Sequence, residues 1–536
     1  MSVMNPGPEK PGAEAVAVFK AGRRRSGGRE ARVALRAAPL QEDIQPVRGG
    51  LNGGRYQPLS ASDVERIHEA ALTALETIGM GDPLPSTIEA MTAVGCWVSE
   101  QGRVMIPRAV VEDTLAKAAR NITLYGQDPK HDMEVSGQKT YFGTAGAAVN
   151  MVNVDSGDYR ESTVQDLYDI ARVVDVMDNI HFFQASVVCC DLADPRDMDV
   201  NTAYASVLGT SKHVGSRWFQ LAHFEESMKI FHEIAGGEAA WRARPFVSMS
   251  NCFVVPPMKF APDACLCLEA AVAHGMPVLL LSAGQAGATA PAALAGAVVQ
   301  AVAEVLAGLV YVNALKPGAP AIFGTWPFVS DLRTGAMSGG SGEQALLMAA
   351  CGQMARFYDL PGGVAAGMTD AKLPDAQSGY EKSYTDALAG HSGANLVYES
   401  AGMHASLLGF CKESLIIDND MLGAILRTIR GIEVTDDSLS LETIREVCLA
   451  GPGHYLGHDQ TLHLMQREYA YPVIGDRTSP KEWEELKRPN LLDQAKARLA
   501  EIEANYFPTH VSAQTDARIR ALVPVNLPRE KMYKPA

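Results

Sequence analysis

Val64, Ile67, Ala71, Leu75 and Ile78 recur at three- and four-residue steps, the spacing that gathers apolar side chains on one face of a helix. Ser62 and Glu65 stand at its start with the S-x-x-E spacing by which each side chain can satisfy an orphan amide. Ahead of this helix, residues 1–57 have no sustained periodicity and are rich in Pro, Gly and Arg, so a disordered N-terminal arm is expected there. Residues 58–139 read as that helix followed by short strands and turns, in CWVSEQGRVMIP and NITLYGQDPKHDMEVSGQKTYFG.

From about residue 140 the rhythm changes, and short apolar runs alternate with helical patterns. The runs are YFGT (141–144), IHFFQAS (180–186), KHVGS (212–216), FVSMSN (246–251), PVLLLSA (277–283), AIFGT (321–325), GVAAG (363–367) and NLVYES (395–400). Helices are predicted between them, at Thr163–Met177, Pro262–His274, Pro291–Asn313, Glu343–Tyr358 and Gln377–Ala389. Strand–helix alternation of this kind predicts an α/β fold, a closed parallel (β/α)8 TIM-type barrel over 140–425. The rival is an open doubly wound sheet, but no G-x-G-x-x-G follows the first strand. Residues 426–536, with the charged run SPKEWEELKRPNLLDQAKARLAEIEANY, read as a C-terminal helical extension that covers the barrel or reaches a neighbouring subunit.

Composition narrows the function. A chain of 536 residues that is 47% hydrophobic buries a sizeable core, which excludes global disorder. Its 47 basic and 62 acidic residues give a formal charge of 47 − 62 = −15, unsuited to a nucleic-acid partner, which needs clustered cations. The nine cysteines form no CxxC pair and read as reduced, buried thiols of a cytoplasmic enzyme. Arg23, Arg24 and Arg25 lead into no apolar signal core. The apolar run 292–314 is broken by Gln300 and Glu304, so it is expected to be a packed helix and not a membrane span.

Barrel enzymes gather their chemistry at the C-terminal ends of the strands. Reading just past each run gives Thr144, Ser250, Asn251, Ser282, Gln285, Thr325, Trp326, Met368 to Lys372 and Glu399 to His404. The densest stretch, Gly367 to Gln377, places Asp370, Lys372, Asp375 and Gln377 after a strand; Asp375 is positioned to cap the next helix. Asp370, Glu399 and His404 are the candidate catalytic residues. Trp326 and Phe328 are suited to hold a cation against an aromatic face. The glycine-rich turn Ser338–Glu343 lacks the Gly-Lys-Ser/Thr of a phosphate loop. His454 and His458 have a ligand-like spacing broken by Gly457, so no metal site is expected.

Four blocks, GGRYQPLSASDVERIHEAALTALETIGM, DAKLPDAQSGYE, ESAGMHASLLGF and GPGHYLGHDQTLHLMQREY, resemble in order and spacing the trimethylamine methyltransferase family, which includes glycine betaine:corrinoid methyltransferases. The resemblance implies a (β/α)8 barrel that moves a methyl group from an amine to the Co(I) of a corrinoid carried by a separate protein, with no cofactor bound directly. Trimethylamine-active members carry pyrrolysine, which this sequence lacks; relatives without it resemble quaternary-amine demethylases with glycine at that place, for which Gly367 is the candidate. Glycine betaine is the favoured substrate, with carnitine, proline betaine or a non-catalytic ligand-binding barrel as alternatives. Trp326 and Phe328, then Tyr380, are the expected cage; Lys372 and His404 are the expected carboxylate donors; Asn251, Gln377 and Glu399 orient the substrate. A cognate corrinoid protein and a homo-oligomer are the expected partners.

Overall fold

A computed structural model of the chain describes residues 45–534. The described residues fall into two compact units, one of residues 46–441 and 469–534, the other of Gln45 and 442–468. The larger unit is built on eight parallel strands, each followed by a helix. They are β1 (Lys139–Thr144), β2 (Phe182–Gln184), β3 (His213–Ser216), β4 (Val247–Met249), β5 (Val278–Ser282), β6 (Ala321–Thr325), β7 (Gly362–Ala365) and β8 (Leu396–Ala401). The helices after them are α1 (Val164–Asp175), α2 (Pro195–Gly209), α3 (Leu221–Ala235), α4 (Pro262–Ala273), α5 (Leu294–Leu315), α6 (Gly342–Phe357), α7 (Ala376–Ser392) and α8 (Lys412–Arg430). Each strand pairs in parallel with the next, and the ring closes where β1 pairs with both β2 and β8. The predicted barrel is therefore the observed one; each predicted run overlaps its strand, with β1 beginning two residues earlier than predicted, β7 one residue earlier and β8 ending one residue later.

Period-two alternation decides which side chains fill the barrel. Phe182 and Gln184 of β2 face inward, as do Gly215 of β3 and Tyr398 of β8; Phe182 and Tyr398 pack edge-on with ring centroids 4.8 Å apart. Gly215 is a close-approach position, because a Cβ there would overlap Gln184 Oε1.

Helix α5 explains the apolar run. Among the described residues it is the helix long and apolar enough to cross a membrane, yet 78% of its apolar window is buried inside the fold. Buried Glu304 at its middle accepts from Ser282 Oγ at 2.5 Å and Met258 N at 2.7 Å, and so ties the end of β5 to the loop after β4. Helix Ala61–Thr77 lies against α5 with Val64, Ile67, Ala71, Leu72 and Leu75 buried. Its cap is Ser60, whose Oγ accepts from Asp63 N at 3.2 Å, and not Ser62 as the S-x-x-E spacing predicts; Ser60 has the extended backbone a cap needs, whereas Ser62 is already inside the helix.

Of the expected 1–57 arm, residues 1–44 lie outside the described residues. Further on, Leu51–Asn52 forms a strand antiparallel to Lys139–Thr140, with Leu51 buried, because the entry edge of β1 offers free backbone groups. The segments at 95–142 form two hairpins, Trp97–Val98 with Val104–Met105 and Ile122–Leu124 with Met133–Val135. The C-terminal extension begins inside α8 and continues through Pro480–Glu485, Leu491–Asn505 and Ala513–Leu522. Leu491–Asn505 packs on α8 and α1, and Arg172 of α1 donates to the carbonyls of Glu503 and Tyr506, both at 2.9 Å. The smaller unit holds His458, which caps helix Asp459–Leu464 by accepting from Gln460 N at 3.1 Å.

Candidate active site at the barrel mouth

Because Tyr398 points into the barrel, strict alternation would turn Glu399 outward, behind the sheet. Two local features reverse this. The register of β8 against β1 slips between Val397 and Ala401, and Glu399 takes a left-handed backbone with φ +66°. A bulge of this kind re-aims a side chain, at a strain of about 1–3 kcal/mol for a non-glycine residue. The Glu399 carboxyl is consequently buried at the mouth, with both oxygens 3.1 Å from the amide nitrogen of Gly146. Burial pushes its ionisation up to about 8, against the opposing pull of the Gly146 N–H and the Arg217 guanidinium.

Gln184 stands beside it. A Cβ on Gly146 would lie 2.8 Å from Gln184 Cγ and 3.6 Å from Glu399 Oε1, so the two side chains flank this glycine. Ser250 Oγ donates to Gln184 Oε1 at 3.3 Å. Arg217, two residues past inward-facing Gly215, donates to the carbonyls of Ala185 at 2.8 Å and Val187 at 3.3 Å and is half-buried. The floor is aromatic. Trp326 packs against Tyr398 with centroids 5.1 Å apart and against Phe328 at 6.4 Å, and its Nε1–H donates to Gly363 O at 3.1 Å. Both Trp326 and Phe328 are buried; Phe328 belongs to a short strand that pairs with Gln285–Ala286 at the rim.

The remaining expected residues fall in other places. Asp370 ties three loops together: it accepts from Ser338 Oγ at 2.6 Å, Gly339 N at 2.9 Å and Ser406 Oγ at 2.6 Å. Lys372 is exposed, its Nζ 2.5 Å from Asp370 O. Gln377 donates to Glu381 Oε1 at 2.9 Å, and Glu381 also accepts from Thr369 Oγ1 and Asp370 N. Asp375 caps α7, accepting from Ser378 N at 3.0 Å. Asn251 exchanges both amide bonds with the backbone of Trp218, at 3.1 and 2.5 Å. Tyr380 is exposed on α7.

His404 is fully buried under α8, its Nε2 2.6 Å from Ser414 Oγ, and burial with the Lys382 charge holds its ionisation well below the usual histidine range. Lys382 pairs with Asp418 at 2.7 Å beside it. Gly367 has φ +84°, and a Cβ there would meet Asp386 Oδ2 and Ser400 Cα, each at 2.5 Å. In this chain the glycine is thus a backbone requirement, directed toward α7.

Of the expected residues, Glu399 stands at the mouth and Trp326 and Phe328 in the aromatic layer that packs on Tyr398, and Gln184, Arg217 and the Gly146 amide gather around Glu399. Gln184 and Arg217 were findable by the strand-end rule, since Gln interrupts the apolar run IHFFQAS and Arg follows KHVGS. Gly146 had no signal in the sequence.

A family model described as trimethylamine methyltransferase matches residues 25–525. Glycine betaine methyltransferase of Desulfitobacterium hafniense strain Y51 is 30% identical over 476 residues, 88% of this chain and 97% of that protein. Trimethylamine methyltransferase MttB of Methanosarcina thermophila is 30% identical over 465 residues, 85% and 94% of the two chains. Among solved structures, the monomethylamine methyltransferase MtmB of Methanosarcina barkeri covers 84% of this chain and 95% of that one at 12% identity, with a TM-score of 0.43.

Proposed function

This chain belongs to the trimethylamine methyltransferase family, and on that premise we propose that it takes a methyl group from a quaternary amine, glycine betaine first, and passes it to the Co(I) centre of a corrinoid held by a partner protein. A quaternary ammonium leaves as a neutral tertiary amine without prior activation, which suits a sequence that contains no pyrrolysine. The acceptor corrinoid is a substrate delivered to the mouth, and supplies the nucleophilic cobalt. The barrel's own work is to bind the amine, point one N–CH3 bond outward and exclude water.

The observation that carries this reading is Glu399, a buried carboxyl turned into an aromatic-floored mouth by a bulge. In the empty site its ionisation near 8 leaves it mostly uncharged around neutrality; a bound quaternary ammonium stabilises the carboxylate and draws off the proton. As the methyl group departs the nitrogen becomes neutral, and a full, fixed carboxylate would oppose that loss of charge. Once the neutral tertiary amine leaves, the buried carboxyl regains its proton from solvent, which resets the site for the next quaternary ammonium. Trp326 and Tyr398 beneath it supply apolar surface and ring faces to the methyl groups.

The test is a visible-spectrum assay of cob(I)alamin with purified protein, first alone and then with a corrinoid methyl-acceptor protein. Glycine betaine, carnitine, proline betaine and trimethylamine are compared. Methylation by a quaternary amine and none by trimethylamine is the expected result. Failure with every amine in the presence of the corrinoid protein would replace the reading with a ligand-binding barrel.

A further inference from the structure

From its place one backbone amide beyond Glu399, we infer that Arg217 reads a carboxylate on the substrate, so that the mouth selects a short zwitterion over a simple quaternary cation. The inference rests on the reading of the mouth as a quaternary-amine site, and it concerns which part of that substrate each side chain holds. Strand β3 directs Gly215 inward, and the period of two directs Arg217 the same way, one step nearer the opening. The Gly146 amide contacts Glu399, while the next amide, Ala147 N, shares the Ala185 carbonyl with Arg217 Nη1, at 3.3 and 2.8 Å. Two successive backbone amides thus mark the pair: Gly146 N bonds the carboxyl group, and Ala147 N shares a carbonyl with the guanidinium. Arg217 and Glu399 sense each other's charge without a mutual hydrogen bond, since the carboxyl is held by Gly146 and the guanidinium by Ala185 and Val187.

Those two carbonyls occupy only part of the guanidinium's donor fan, and the group is half-buried, not sealed. A partly buried guanidinium with unused donors is suited to a carboxylate through two parallel bonds, which fixes orientation as well as charge. Gln184, anchored by Ser250 between them, contributes an amide that can serve either end. The two groups are held at successive backbone amides and feel each other's charge, so the substrate they match carries its ammonium and carboxylate close together. Lys372, at the surface on the Asp370 carbonyl, and His404, buried under α8 on Ser414, are engaged elsewhere.

The experiment is equilibrium binding of glycine betaine and of choline, which share the trimethylammonium group and differ in the carboxylate. Wild-type protein, Arg217→Gln and Arg217→Lys are measured, with thermal melting of each. Wild type should prefer the betaine tenfold or more; Arg217→Gln should bring betaine down to the level of choline while choline binding stays within twofold, and Arg217→Lys should lie between. Equal losses for both ligands, or an unchanged ratio, would reduce Arg217 to a clamp on the end of β2 and overturn the inference. A wild type that binds choline as well as betaine overturns it too and leaves the quaternary-amine reading standing. Binding of neither ligand removes that reading, and the inference with it.

Discussion

A carboxyl buried as deeply as that of Glu399 holds its proton near neutrality unless a positive charge compensates it. The sign of the consequence follows from the direction of the shift. The folded value is raised from an ordinary 4.5 to about 8, so between those values the folded chain carries a proton that the unfolded chain has lost. This group's contribution to stability is therefore constant below the ordinary value, declines as pH rises through the window, and levels off above 8. A bound quaternary ammonium reverses the preference, and its binding must release the proton. Affinity for glycine betaine should accordingly rise by roughly tenfold per pH unit below the folded value and flatten above it. Calorimetry between pH 6 and 9, roughly, in two buffers of different ionisation heat would read both the slope and the released proton. Glu399→Gln should bind tenfold or more weakly with a flat profile. A flat wild-type profile would show that Glu399 is not the counter-charge. The residue was legible as a strand end, but its inward aim was not, because alternation alone points it away from the mouth.

At the scale of elements, the mouth is a set of loops held by a few acceptors. Asp370 receives donors from positions 31 to 36 residues away, on the loops before α6 and before α8. Hydrogen bonds to a charged acceptor contribute about 1.5–3 kcal/mol each, so Asp370→Asn, which loses one acceptor oxygen and the charge, should loosen both loops locally. Amide exchange in residues 331–341 and 402–408 should accelerate by tenfold or more, while α6 and α7 keep their protection. Unchanged exchange would sink the clamp and return Asp370 to the chemistry. The barrel elements themselves were legible. Each strand is an apolar run bounded by polar or small residues, and burial on both faces leaves little else that such runs can form. What the sequence did not reveal is which strand-end polar groups have partners. Asn251, Gln377 and Lys372 read like site residues, but their donors are engaged by Trp218 O, Glu381 and Asp370 O. Only the folded loops bring those acceptors close.

Across the whole larger unit, the tail after Tyr506 lies far along the chain from the helices it covers. Asp516 is 1% exposed; it accepts from Arg520 Nε at 3.0 Å and from Arg529 Nε at 3.1 Å, and it bonds the hydroxyl of Tyr204 on α2. Asn526 N donates to Asn201 Oδ1 of α2 at 2.7 Å, and Ile519, Val523, Leu527 and Met532 are buried in the same layer. The reading of this region as a charged, solvated helix caught Leu491–Asn505 but missed the later residues, since their partners stand more than 300 positions upstream and no local pattern encodes them. Among the described residues, no tail side chain bonds Glu399, Gln184 or Arg217, which gives a clean separation of stability from chemistry. Removing one member of a buried charge cluster costs about 3–5 kcal/mol because the others are left uncompensated. Asp516→Ala should therefore lower the melting temperature substantially, while the dissociation constant for glycine betaine, measured well below the transition, stays within twofold of wild type. Weakened binding in protein that is still folded would mean that the α2 flank transmits strain to β2 and β3, and hence to Gln184 and Arg217. The mouth would then depend on the far end of the chain as well as on its own loops.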